Sequence, residues 1–226
     1  MHNPRLFKPE FRKIVSAGLN DIIVSEGTIN DLDVIYEKMK QDFPSDERLK
    51  RDRIELLMAN GNYQLLIAWH QLFDVIVGYA FVFEPEYPKI IWLDYMAVDI
   101  KFRNMGYGTL LFNKLSEHRS GDNLGVFLEI EIPEAENEKI REDQNRRIKF
   151  YERLGAKKLA AEYELPTNEN SQKMYLFFRP SFGLHFLSKD QIQESITSAF
   201  EYIHGDKSHW DNVLKRFVQS IHDESF

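Results

Sequence analysis

The chain has 226 residues, 43% of them hydrophobic and 13% aromatic, enough for one large packed domain or a domain with an extension. Its 36 acidic and 29 basic residues leave a net charge of −7, without the broad positive field that neutralises phosphate backbones, so nucleic acid is not expected as the main partner. Cysteine is absent, which removes disulfides, thiolate metal sites and a cysteine nucleophile together. Residues 1–17 mix charges with apolar side chains and do not read as a signal peptide. No stretch approaches the ~18 apolar residues that span a bilayer, so the expected location is the cytoplasm, away from membranes.

Residues 20–25 form a short β-branched run, the first expected strand. Thr28 and Asp31 nearly match a capping box, and Leu32, Ile35, Tyr36 and Met39 follow at helical spacing. A second helix carries Leu49, Ile54, Leu57 and Met58 and stops at Asn60-Gly61-Asn62. Residues 63–69, 75–83 and 90–98 are strand-like runs with turn-length gaps, an antiparallel meander. A helix is expected over 107–118, a strand over 126–132, and a helix over 138–154 with Gly155 as its cap. Residues 158–164 and 173–178 complete the strands. In the tail, Ile192, Ile196, Ala199, Phe200 and Ile203 form one helical stripe, and Trp210, Val213, Leu214, Phe217, Val218 and Ile221 another. The expected class is α/β, a mixed and mostly antiparallel sheet flanked by helices. Its main domain spans residues 1–180, with a two-helix extension at 181–226.

The most informative stretch is L-D-Y-M-A-V-D-I-K-F-R-N-M-G-Y-G-T-L-L, residues 93–111. A strand ends at Val98, and the R-x-x-G-x-G run from Arg103 to Gly108 opens a helix. First-turn N–H groups lack intrahelical partners and the helix dipole favours an anion there. Gly106 and Gly108 allow close backbone approach, and Arg103 is a charged donor suited to phosphate. On this fragment alone, a tight turn and a diphosphate site remain equal readings. The Rossmann pattern needs a third glycine after the first strand of a βαβ unit, and no P-loop G-K-[ST] is present.

The order of elements, this loop, and Q-N-R-R-I-K-F-Y-E-R-L-G-A at residues 144–156 resemble the GNAT superfamily of acyl-CoA-dependent N-acyltransferases. Within it, L-D-Y-M-A-V, F-L-E-I-E-I-P and R-R-I-K-F-Y-E-R-L-G-A are similar to a bacterial subgroup without an assigned acceptor. The resemblance covers roughly residues 20–180. It implies transfer of an acetyl group from acetyl-CoA to an amine of a small molecule or peptide, by direct attack. It also implies that Met96, Ala97 and Val98 present backbone groups to the pantetheine arm. The pyrophosphate would lie against the N–H groups of Arg103, Asn104, Met105, Gly106, Tyr107, Gly108 and Thr109. Gln144 stands where the family has an asparagine that bonds the CoA arm, and Tyr151 where a tyrosine faces the thioester sulfur.

An attacking amine must lose a proton, since an alkyl ammonium has a pKa of roughly 10. Strand alternation puts Glu129 and Glu131 on one face as candidate bases, where mutual repulsion would raise one pKa. Asp94 is a third candidate. Solvent-facing carboxylates and a core tyrosine are the plain alternatives for these residues. Arg146 and Arg147 read as a solvated or salt-bridged face. The histidines form no recognised ligand spacing, so no metal is expected. A non-catalytic acyl-CoA-binding sensor of the same fold is the alternative function, with the C-terminal helices as its output or homodimer surface.

Overall fold

The computed structural model describes residues 21–45, 47–117 and 123–226. The first expected strand begins at Asn20 and the third helix ends at His118, both outside the described residues, as is the segment 1–17.

Chain order is β1 (Ile22–Glu26), α1 (Leu32–Asp42), α2 (Arg51–Ala59), β2 (Tyr63–His70), β3 (Val75–Phe83) and β4 (Ile91–Val98). Then come α3 (Tyr107–Glu117), β5 (Gly125–Glu131), α4 (Glu138–Arg153), β6 (Lys157–Lys158), β7 (Glu164–Pro166) and β8 (Ser171–Pro180). The tail holds β9 (Phe186–Leu187), α5 (Lys189–His204), α6 (Trp210–Phe217) and β10 (Glu224–Ser225). The large sheet runs β1-β2-β3-β4-β5-β8-β6, with β7 also paired to β8. Every neighbour is antiparallel except β4 and β5. That exception follows from α3, because parallel strands need a crossover and a helix supplies it.

Alternation along the strands divides the core in two. On one face Tyr63, Leu65, Tyr79, Phe81, Trp92, Tyr95 and Phe127 bury against α1, α2, α5 and α6. On the other Leu66, Ala80, Val82, Leu93, Val126, Leu128 and Ile130 bury against Leu111, Phe112 and Leu115 of α3 and Tyr151 of α4. The tail stripes therefore pack on the sheet itself. Ile192, Ile196, Phe200, Ile203, Val213 and Phe217 are all buried.

Three local expectations change. Thr28 does not cap α1; its N–H and hydroxyl instead donate to the Asp31 carboxylate, at 2.7 and 2.8 Å. Residues 159–163 are irregular rather than strand. Two of their backbone donors go to tail side chains, Ala160 N–H to Glu224 Oε1 and Glu162 N–H to Ser220 Oγ, in place of a ladder. The second tail helix ends at Phe217 and tightens into a 3-10 turn, Val218–Ser220. Gly155 holds φ +86° directly after α4, the left-handed conformation a helix end favours.

Candidate functional site

Pairing between β4 and β5 is brief: Ile91, Trp92 and Leu93 face Val126, Phe127 and Leu128, and no further pair follows. Beyond it β4 stays on β3 and β5 stays on β8, so the strands part like a fork. The register of β4 against β3 also jumps there, from Phe81↔Tyr95 to Val82↔Leu93, leaving Asp94 as the extra residue of a bulge. The bulge explains why Trp92 and Tyr95, three apart, share one face.

The open edge of β4 can be assigned by alternation. Asp99 N–H donates to Val77 O at 2.9 Å, so Asp99 and, two residues back, Ala97 turn their backbone groups to β3. A Cβ on Gly78 would stand 2.8 Å from the Ala97 carbonyl, in agreement. Met96 and Val98 are then the residues whose N–H and C=O groups face the fork. The Val98 carbonyl accepts from Arg103 Nε at 3.0 Å, and Arg103 Nη2 reaches Asp42 at 3.2 Å. Arg103 thus braces the loop against β4 and α1.

After the 3-10 turn Ile100–Phe102, Asn104 (φ 64°) and Gly106 (φ 87°) take left-handed conformations that swing the chain into α3. Leu110 N–H bonds to Gly106 O at 3.0 Å, so the N–H groups of Tyr107, Gly108 and Thr109 precede that turn and have no acceptor four residues back. Gly106 and the Met105 side chain are exposed, whereas the Tyr107 ring is buried beside Phe102 and His70. Gly108 has a packing reason as well: a Cβ there would lie 3.3 Å from Phe150 and 3.6 Å from Val98.

On α4, Tyr151 is 7% exposed and stands edge-on to Phe112 with ring centroids 5.2 Å apart. Burial pushes its hydroxyl up to about 12; Arg147 lowers it and Glu131 raises it. Gln144 Oε1 is enclosed without a hydrogen-bond partner. Arg147 pairs with Glu131 at 2.5 Å and Arg146 with Asp143 at 3.0 Å, the salt-bridged face anticipated for them.

The carboxylates assemble differently from the sequence expectation. Glu131 belongs to Arg147, while Glu129 accepts a hydrogen bond from the Tyr163 hydroxyl. Glu129's acidic neighbour is Asp94, which accepts from the Tyr63 hydroxyl. Asp94 and Glu129 each follow the last paired residue of their strand, Leu93 and Leu128, at the point where the fork opens. Burial raises Asp94 to about 6 and Glu129 to about 8; the Tyr63 and Tyr163 hydroxyls and Lys207 oppose those shifts. Asp94 adds to the rise of Glu129. Tyr63, Tyr163 and Lys207 escaped the sequence reading, since no local pattern ties them to carboxylates tens of residues away.

Among the described residues, no group of three or more His, Cys, Asp or Glu side chains is arranged to hold a metal. None of their helices is long and apolar enough to cross a membrane.

Residues 61–155, from the turn before β2 to the end of α4, match the family model for the acetyltransferase (GNAT) domain. A search of curated proteins returns no match. Among solved structures, the chain is similar to a Bacteroides thetaiotaomicron protein described as a GNAT-family acetyltransferase, at 22% identity over 80% of this chain and 97% of that one, with a TM-score of 0.62. NAA60 from Arabidopsis thaliana, solved with acetyl-CoA, is 16% identical over 70% of this chain and 97% of its own, with a TM-score of 0.53. Ard1 from Thermoplasma volcanium is 19% identical over 72% and 99%, with a TM-score of 0.54. At these identities the structural likenesses speak to the fold. The family model thus matches residues 61–155, and the fold built around them is similar to that of GNAT-family acetyltransferases.

Proposed function

We propose that this protein is an N-acetyltransferase that uses acetyl-CoA as cosubstrate and acetylates an amine of a small molecule or peptide by direct attack. The observation that carries this reading is the fork. It opens directly after the last β4–β5 pair, where Asp94 and Glu129 are the next residues of the two strands and Asp94 acts electrostatically on Glu129.

The residues present suit the cosubstrate. Backbone groups of Met96 and Val98 offer a strand-like edge to the pantetheine amides, and the enclosed Gln144 Oε1 is an acceptor in want of a donor. The first-turn N–H groups of Tyr107, Gly108 and Thr109, with those of Arg103 to Gly106 before them, would hold the pyrophosphate. The NAA60 structure with acetyl-CoA supports the choice of cosubstrate.

Glu129, poised near pH 8 by burial, accepts a proton from the acceptor ammonium, with Asp94 sharing its surroundings. Free N–H groups on the β4 edge stabilise the oxyanion. Tyr151, held neutral by burial, donates to the departing CoA thiolate. Glu131 serves α4 through Arg147 rather than the reaction.

The test is a calorimetric titration with acetyl-CoA, followed by thiol release across a panel of amines. Micromolar binding and an amine-dependent thiol signal are expected. Binding with no release for any amine would leave the sensor reading, and no binding at millimolar acetyl-CoA would end both.

A further inference from the structure

The acid pair lies under a roof supplied by the C-terminal extension, and one side chain joins the two. Tyr163, in the irregular segment between β6 and β7, is 1% exposed and donates its hydroxyl to Glu129 Oε1. Aromatic rings box it in on three sides. Trp92 of β4 approaches from the sheet with centroids 6.5 Å apart, Phe200 of α5 stands edge-on at 5.8 Å, and Phe217 of α6 edge-on at 5.2 Å. The backbone is pinned as well. Tyr163 O accepts from the Met174 N–H of β8 at 3.1 Å, and the N–H of Glu162, one residue earlier, donates to Ser220 Oγ of the tail at 3.0 Å. With ring and backbone both held, the direction of the hydroxyl is fixed.

A buried tyrosine hydroxyl needs a partner, and an ionised carboxylate can only accept. The Tyr163 hydroxyl therefore favours the charged form of Glu129 against the burial that raises it; Asp94 of β4 raises it further, and Lys207, after α5, lowers it. Burial and the adjoining Glu129 carboxylate hold the Tyr163 hydroxyl well above the usual tyrosine range, so it stays a donor. Glu129 is only half-buried, so a carboxylate anchored through Oε1 keeps Oε2 for an incoming proton. The donor to Asp94, Tyr63, sits on β2 and stacks on Phe81 of β3 at 5.7 Å, inside the sheet. The donor to Glu129 instead takes its position from the tail.

We propose that Tyr163 is the positioning residue of the base: its hydroxyl holds the Glu129 carboxylate in the orientation that takes the acceptor's proton, and the C-terminal helices, through Phe200 and Phe217, hold Tyr163 in place. This rests on the acetyltransferase reading above, with Glu129 as its base. Tyr163 keeps its own proton throughout; the proton of the acceptor ammonium passes to Glu129 and from there to water. The extension then serves the reaction as well as the core.

Rates of thiol release are measured on the full chain from about pH 6 to 10 with acetyl-CoA and, from a panel of alkylamines and peptide amino termini, the amine that wild type turns over fastest. Tyr163→Phe keeps the ring and removes the hydroxyl. It should lower kcat at pH 7 about tenfold, move the acidic limb of the profile up by about one pH unit, and leave acetyl-CoA affinity unchanged by calorimetry. In the Glu129→Gln background the same change should cost less than about twofold, because the group it positions is gone; a merely structural role would cost the same factor in both backgrounds. Phe217→Leu leaves the hydroxyl and loosens one wall of the box. It should lower kcat about threefold, again only while Glu129 is present. An unchanged kcat in either variant, or equal losses in the two backgrounds, overturns the proposal and leaves the acetyltransferase reading standing. Full activity of Glu129→Gln overturns the proposal and the choice of base, but not the transfer. Wild type that releases thiol with none of the amines overturns the transfer and the proposal together.

Discussion

The two sides of the β4–β5 fork are made of different materials. On the α3–α4 side the working groups are mostly backbone: the Met96 and Val98 edge and the first-turn N–H groups that follow Gly106. They come from one continuous stretch and need only the right conformation. On the α5–α6 side the groups are side chains, Asp94, Glu129, Tyr63, Tyr163 and Lys207, drawn from three strands, an irregular segment and the tail. Their proximity is a product of the whole fold. The proposed cosubstrate site is thus written locally, whereas the acid pair depends on the tail that packs over it.

Removing that extension is the harshest way to break the contrast. Ile192, Ile196, Phe200, Ile203, Val213 and Phe217 are each buried, worth about 1.5–3 kcal/mol apiece, together comparable to a domain's entire stability of about 5–15 kcal/mol. A chain ending at Pro180 should be insoluble or molten by circular dichroism and dye binding; a folded, acetyl-CoA-binding truncation would show the roof to be dispensable.

Next in size are single changes on opposite sides. Glu129→Gln should lower kcat by ~10²–10⁴ while acetyl-CoA affinity stays near wild type, read by thiol release and calorimetry. Tyr151→Phe should lower kcat by about 10² with affinity likewise retained. Gly106→Ala reverses the pattern. Its left-handed φ of 87° costs an L-residue roughly 1–2 kcal/mol, so acetyl-CoA should bind about tenfold more weakly with kcat at saturation little changed.

This division also explains what could be read from the chain. The meander, α3 and α4 are local patterns, so periodicity and spacing located them within a residue or two, whereas the roles expected of the R-x-x-G-x-G loop and Tyr151 came with the family resemblance. Glu129 and Glu131 looked alike because alternation reports only the face of a strand. It could not tell that Glu131 sits at the strand end within reach of Arg147, or that Asp94 is the charge that acts on Glu129. The stretch 159–163 failed as a strand because Ser220 and Glu224, some sixty residues later, take its backbone donors. Lys207 lay in a tail whose packing partner was open until the sheet was assembled.

The smallest expected effect is on stability. Glu129 is raised from 4.5 to about 8, so between those values the folded chain binds more protons than the unfolded one. Stability therefore falls as pH rises through that window and levels off above it. Asp94, raised from 3.8 to about 6, acts in the same sense at lower pH. Melting temperatures at pH 5.5 and 8.5 should differ less in Glu129→Gln than in the wild type.

The central claim is that the fork between β4 and β5 is the acetyl-CoA site, and amide hydrogen exchange with and without acetyl-CoA tests it most directly. Protection should appear at Met96, Val98 and Tyr107 to Thr109, with Ala97, already turned to β3, little changed. Binding that leaves those amides untouched and protects another part of the chain would contradict the claim.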